Sequence, residues 1–272
     1  MAFAAVARGM TVVGALALAG SALADGPGRG SIKDTRFAAP FSWTGFYVGV
    51  NAGYAWADAD VGSSFACPAG AGCTVGAPAN IAAVAAAASG SVAADGFTGG
   101  IQAGYNWQSG SAVLGVEADF NSFALSGSSA AGGPFPALPA NRFGAATGID
   151  SNWLMTLRGR LGWAVSSTLM VYATAGLAVA DIEVGNAYVD NLAPAGIGAS
   201  SRSDTVTGWT AGAGLELALN RNWTLKTEYL YVDLGSVSTS ARVQAPGFNP
   251  NFLNSSYDLT AHMARVGVNY KF

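Results

Sequence analysis

Charge is scarce in this sequence. Of 272 residues, 13 are Lys or Arg and 16 are Asp or Glu, together 11%, against roughly 25% in an ordinary soluble domain. Histidine occurs once and cysteine twice, too few for the usual zinc sites, and no metal or other cofactor is expected. A pI near 5.0 supplies none of the basic surface that nucleic-acid binding needs. Long apolar runs are missing as well. The stretch Ile81–Ala88 is followed by Ser and Gly and falls short of the roughly 18 apolar residues of a spanning helix. Abundant instead are Ala, aromatics and 37 Gly, in a chain that is 51% hydrophobic. A chain so poor in solubilising charge, yet without a spanning helix, points to a closed β-barrel. That is the one other structure that satisfies every backbone group in lipid.

The N-terminus reads as a targeting segment. Arg8 is the only charge before the apolar run Met10–Leu18, and Ala22-Leu23-Ala24 is a small-x-small cleavage site. Residues 1–24 are therefore expected to be a signal peptide cut between Ala24 and Asp25. Residues 25–42 are expected to form a periplasmic tether, and residues 43–272 the barrel.

Alternation at period two recurs along the rest of the chain. Phe46, Val48, Val50, Ala52, Tyr54 and Trp56 alternate with smaller or polar residues, and Phe97–Trp107 repeats the pattern. Six more segments follow: Ala112–Phe120, Trp153–Trp163, Leu169–Val179, Gly208–Leu219, Trp223–Val232 and Ala261–Phe272. Each has about the 9–11 residues that a tilted strand needs to cross a bilayer. In Trp223–Val232 the run Tyr229-Leu-Tyr-Val232 blurs the alternation. The connections Gln108–Ser111, Ala164–Thr168 and Asn220–Asn222 are short, and those between them are long. Short periplasmic turns and long outer connections are the pattern of bacterial barrels. The expected fold is thus all-β: an eight-stranded antiparallel up-and-down transmembrane barrel with four long outer loops. Trp56, Trp107, Trp153, Trp163, Trp209 and Trp223 fall at strand ends on the apolar parity, where aromatic girdles belong.

The inward parity carries Glu117, Asp119, Arg158, Arg160, Glu216, Lys226, Glu228 and Arg265. Acids and bases are equal in number, and an eight-stranded lumen is only wide enough for side chains to fill it. The simplest reading is an ion-pair network that plugs the lumen; the alternative is the selectivity filter of a narrow porin for small hydrophilic solutes or ions. Gly100, Gly104, Gly162, Gly212, Gly214 and Gly267 are read as making room for the Arg and Lys side chains. The outer connections are acidic, which reads as ordinary solvated surface or as a rim gathering cations.

Cys67 and Cys73 bracket Pro68–Gly72 in the first long connection. In an exported chain they read as a small disulfide loop, with free thiols as the alternative. Catalysis finds little support. The single His262 falls on the lipid-facing parity, and Gly212-Ala-Gly214 lacks the third glycine of a phosphate loop and lies within a strand. No enzyme activity is expected, and no peptidoglycan-binding domain is expected after Phe272.

The segments WTGFYVGVNAGYAW, GFTGGIQAGYNWQ, LRGRLGWAV, VYATAGLAVAD and LKTEYLYVDLG resemble the small outer-membrane immunogenic or opacity-type porin-like proteins of alphaproteobacteria. The ending, with Val266, Val268, Tyr270 and Phe272 alternating to a terminal aromatic, looks like the signal by which the barrel-assembly machinery recognises its clients. The resemblance implies the outer membrane as location but no single activity, since the family's roles are varied; a rigid barrel displaying four long loops is read as having a structural or surface-interaction role. The membrane's lipids and lipopolysaccharide are then partners, with room for an unknown loop ligand.

Overall fold

A computed structural model describes residues 41–67 and 73–272. The cleavage site at Ala22, Ala24 and Asp25, and residues 25–40 of the tether, lie outside the described residues.

Eight strands form a closed antiparallel barrel in sequence order. They are β1 (Gly45–Ala66), β2 (Gly90–Ser109), β3 (Ala112–Phe135), β4 (Leu138–Ala164), β5 (Leu169–Asp190), β6 (Ile197–Ala218), β7 (Trp223–Val243) and β8 (Asn251–Lys271), with a helix α1 (Pro78–Ala88) between β1 and β2. Pairing of β8 with β1, from Tyr47↔Lys271 to Ala66↔Phe252, closes the ring. Closure leaves no open edge in lipid, which is what makes the architecture compatible with a bilayer.

The outward parity is apolar and exposed over one band. Phe46, Val48, Val50, Ile101, Leu114, Leu157 and Val266 all face out. At the end with short turns, Phe46 meets Phe272 (5.7 Å between ring centroids), Trp223 meets Tyr270 (5.1 Å) and Tyr105 meets Trp107 (4.7 Å). At the other border, Trp56 stacks on His262 (6.0 Å), Trp209 meets Tyr231 (5.3 Å) and Phe120 meets Trp153 (5.9 Å). From Phe46 to Trp56 a strand rises roughly 33 Å, which at a tilt near 40° gives a band of about 25 Å, the height of an outer-membrane barrel's apolar belt.

The strands run much further than the bilayer requires, from 20 residues in β2 to 27 in β4. Most of what reads as outer loop in the sequence is barrel wall. The stretch 121–152 is a continuation of β3 and β4 that turns over between Phe135 and Leu138. The cause is a reversal of patterning. Beyond the lipid the outside faces water, so polar residues point out and apolar ones fill the lumen. Strand β7 shows the crossover: Lys226 and Glu228 point inward within the belt, then Leu230, Val232 and Leu234 do so above it. The blurred run Tyr229–Val232 is that crossover, with Tyr229 exposed on the lipid side and Leu230 fully buried inside.

Helix α1 starts at a proline, where the missing N–H costs nothing, and runs through alanines of high helix propensity. It buries Asn80, Val84 and Ala88, one face at a spacing of four. The Asn80 amide donates to the Val75 carbonyl (2.7 Å) and its Oδ1 accepts from the Ala137 N–H (2.9 Å), tying the helix to the β3–β4 hairpin. The β2–β3 ladder ends at Asp95↔Ser126, and α1 packs there against β1, β3 and β4. A second seam is uncovered. Pairing of β6 with β7 stops at Trp209↔Asp233 and resumes only in a single bridge, Ile197↔Gln244.

Candidate functional site: a layered lumen

Within the lipid belt every one of the eight sequence-identified lumen charges points inward and is buried. Strands β3, β4, β6, β7 and β8 bring them together because residues two apart on a strand share a face. Arg158 Nη2 lies 2.6 Å from both Glu117 Oε1 and Asp119 Oδ2, and its Nη1 is 3.1 Å from Glu228. Lys226 Nζ donates to both Glu117 oxygens at 2.8 and 3.0 Å. Arg265 donates through Nε to Glu228 (2.7 Å) and through Nη2 to Asp119 (3.0 Å). Arg160 Nη2 holds Glu216 at 2.6 Å. Each acid therefore has at least one cation at hydrogen-bond distance.

Sequence reasoning missed the neutral groups that complete this network. The Tyr47 hydroxyl donates to Glu117 Oε2 (2.7 Å) and accepts from Arg160 Nη1 (2.8 Å). The Tyr172 hydroxyl donates to Glu228 (3.0 Å), and the Arg160 guanidinium sits 4.0 Å from the Tyr172 ring centroid. Thr156 donates to Asp119 (2.8 Å), while Thr224 and Asn269 donate to Glu216 (2.6 and 3.0 Å). The available signal was parity: Tyr47 and Tyr172 alternate with lipid-facing residues.

Their rings also correct the reading of the lumen glycines as space for Arg and Lys. A Cβ on Gly104 would stand 2.4 Å from the Tyr47 hydroxyl, and one on Gly214 would stand 2.5 Å from that of Tyr172. At Gly162 the neighbour is Met170, at Gly212 it is Leu230, and at Gly100 it is Asn121 together with the Phe120 carbonyl. Of these six, Gly267 alone meets one of the cationic side chains, at Lys226 Cγ (3.3 Å).

Two further layers bound the charges. Towards the short turns, Trp43 is buried among Val113, Met170, Tyr172 and Ala218, with Phe41 against it. The Trp43 N–H of the main chain donates to Gln108 Oε1 (2.8 Å). Trp43 is the one tryptophan absent from the girdles. On the opposite side lies an apolar layer that includes Leu154, Ala178, Leu230, Met263 and Phe123. A residual cavity there measures about 20 Å³, close to the room one water needs.

The remaining sequence-identified residues lie apart from this lumen. Cys67 and Cys73 are joined, with Sγ atoms 2.04 Å apart. Val266 and Phe272 face outward, exposed, and the Phe272 N–H donates to the Phe46 carbonyl (3.0 Å). Val268 and Tyr270 are half-buried on the same parity. His262 is on the outer face, its Nδ1 2.6 Å from the Tyr229 hydroxyl.

A family model described as the outer membrane protein beta-barrel domain matches residues 10–272. The 31 kDa outer-membrane immunogenic protein of Brucella melitensis biotype 1 is 40% identical over 234 residues, 85% of each chain. The 22 kDa outer membrane protein of Rhizobium leguminosarum bv. viciae is 35% identical over 141 residues, 52% of this chain and 54% of that one. Among solved structures, the outer membrane protein OprG from Pseudomonas aeruginosa aligns with a TM-score of 0.42 at 15% identity, covering 86% of this chain and 98% of that one.

Proposed function

The chain belongs to the outer membrane protein β-barrel domain family, and from that premise we propose that it is a non-conducting barrel with a structural and surface-interaction role. The observation that carries this reading is the sequence of three filled layers in one lumen: Trp43 with its neighbours, the charge network, and the apolar layer. A narrow porin needs a continuous wetted path, and fully buried Leu154, Ala178, Leu230 and Met263 stand across it. The charges are matched with one another instead of lining a passage, as buried ions must be to offset their desolvation.

In this reading residues 1–24 direct export and are removed, and the terminal aromatic serves recognition by the assembly machinery. The tall outer half works at the level of lipopolysaccharide headgroups and beyond. Planar-bilayer recording of the refolded chain tests the proposal. Its expected result is the absence of a long-lived open level; a stable, reproducible conductance would replace the sealed barrel with a porin.

A further inference from the structure

Residues 41–44 belong to no strand, yet Trp43 is only 2% exposed. The residue that follows them explains the contrast. Gly45, the first of β1, has φ +142°, a region that glycine enters freely and other residues do not. A Cβ there would also stand 3.3 Å from the Phe272 carbonyl oxygen. The chain bends at this glycine, and Trp43 enters the mouth of the barrel at the short-turn end.

The socket that receives it is assembled from the whole ring. Val113 of β3, Met170 of β5 and Ala218 of β6 share one buried cluster with Trp43, and Ala164 of β4 packs against it. Gln108 of β2 accepts the Trp43 main-chain N–H on its Oε1 (2.8 Å) and donates its own main-chain N–H to Thr44 Oγ1 (2.9 Å). From the other side, Lys271 of β8 donates through Nζ to the Thr44 carbonyl (3.0 Å). The same ammonium lies 5.3 Å from the Phe41 ring centroid. Thr44 is thus held between β2 and β8, the two neighbours of β1 in the ring. They flank it together only once β8 has paired with β1.

The segment is fastened differently from the wall. Residues 41–44 make no main-chain bond to another main-chain group among the described residues. The Trp43 N–H goes to Gln108, and that of Thr44 goes to Ser42 Oγ (3.3 Å). The segment can therefore enter or leave without breaking a β-ladder. Its fit is also incomplete. Trp43 Nε1 is buried and has no acceptor among the described residues, a costly state for a donor.

We infer that residues 41–44 form a latch, which docks after the ring has closed and then braces the β1–β8 seam from the short-turn mouth. The order follows from the socket, which does not exist before closure. The bracing follows from Trp43 reaching across the lumen to β5 and β6 while Thr44 bonds the strands on both sides of β1. A part that is absent from the transition state slows unfolding and leaves folding unchanged. The latch does not depend on whether the lumen conducts, so it goes beyond the sealed-barrel reading and survives that reading's failure.

Refolding of the full chain from urea into detergent micelles, which leave both mouths open to reagents, provides the test. Val113→Cys in a Cys67→Ser, Cys73→Ser background puts a thiol in the socket, where Val113 is buried. Closure is read from the shifted mobility of a closed barrel on unheated gels. Docking is read from lost reactivity toward an impermeant methanethiosulfonate. Closed barrels are expected first, with the thiol still reactive, and protection in a slower phase. Trp43→Ala should close at the unaltered rate, leave the thiol reactive and unfold in urea about a hundredfold faster. Leu230→Ala, a truncation in the apolar layer, should leave the thiol protected. Protection that arrives with closure or before it would overturn the inference. So would slowed or failed closure in Trp43→Ala, which would make the segment part of the folding nucleus.

Discussion

Removing one charge from the centre of the lumen network should be far more damaging than removing one from the surface. Glu117 is the most connected acid: Arg158 at 2.6 Å, Lys226 at 2.8 Å, the Tyr47 hydroxyl at 2.7 Å and Arg160 at 3.5 Å. Its side chain and those of Arg158 and Lys226 have no solvent exposure. Glu117→Gln keeps the shape and deletes the charge, leaving one cation uncompensated. Breaking a buried pair from one side costs about 3–5 kcal/mol, or roughly two to four orders of magnitude in the folding equilibrium. Adding Lys226→Met restores the balance of charges and should return about 1–3 kcal/mol, since contacting residues couple on that scale. As a control, Arg202→Ala breaks the half-exposed pair with Asp204 and should cost at most about 1 kcal/mol. Urea unfolding of refolded protein in liposomes, followed by tryptophan fluorescence, measures all three. If Glu117→Gln fell within about 0.5 kcal/mol of the wild type, as a surface change does, the network would not be a tightly coupled interior and the reasoning would fail.

Other outcomes follow from the same structure. Deleting Phe272 removes an exposed girdle ring that contacts both Phe46 and Tyr270; insertion into the outer membrane should drop while export continues, and fractionation showing normal insertion would refute an anchoring role. In a Cys67→Ser, Cys73→Ser background, Ser128→Cys and Ser240→Cys should react with an impermeant thiol reagent on intact cells and Ser109→Cys should not; the reverse pattern would invert the topology. Asp150 faces Glu183 across the β4–β5 ladder outside the lipid, and burial, then the charge of Glu183, raises its carboxyl above the ordinary range. A raised folded value means a contribution to stability that is present below the unfolded pKa and lost as pH rises through the folded one. Glu183→Gln should therefore bring the Asp150 titration down toward the ordinary value in a carboxyl-detected NMR experiment, and an unmoved titration would contradict this assignment of cause.

The belt was legible in the sequence because lipid imposes one rule on it: apolar out, with aromatics at both borders. That rule places Phe46 to Trp56 and the eight lumen charges on their correct faces without any knowledge of contacts. The outer half was not legible because water and the lumen exchange roles there, and segments such as Gly127–Gly133 carry side chains too small to show a period. Helix α1 was hidden for a similar reason: alanine is apolar enough for a core and too small to mark a face, so only Asn80, Val84 and Ala88 betray one. Polar contacts inside the outer half, such as Ser63 with Ser255, were invisible because such residues meet only through strand register, across 192 positions of sequence. The lumen tyrosines were passed over because a tyrosine near a strand end reads equally as a girdle residue.

Thiol accessibility inside the apolar layer tests the sealed lumen most directly. Ala178 has no solvent exposure and lies among Leu154, Leu230 and Met263 in the layer above the charges. In the Cys67→Ser, Cys73→Ser background, Ala178→Cys should resist a small impermeant cationic methanethiosulfonate added from both sides of proteoliposomes, and should react fully once urea unfolds the chain. Modification of the folded barrel as fast as at Ser128→Cys would mean that water and small ions reach the middle of the lumen, and that the barrel is a pore.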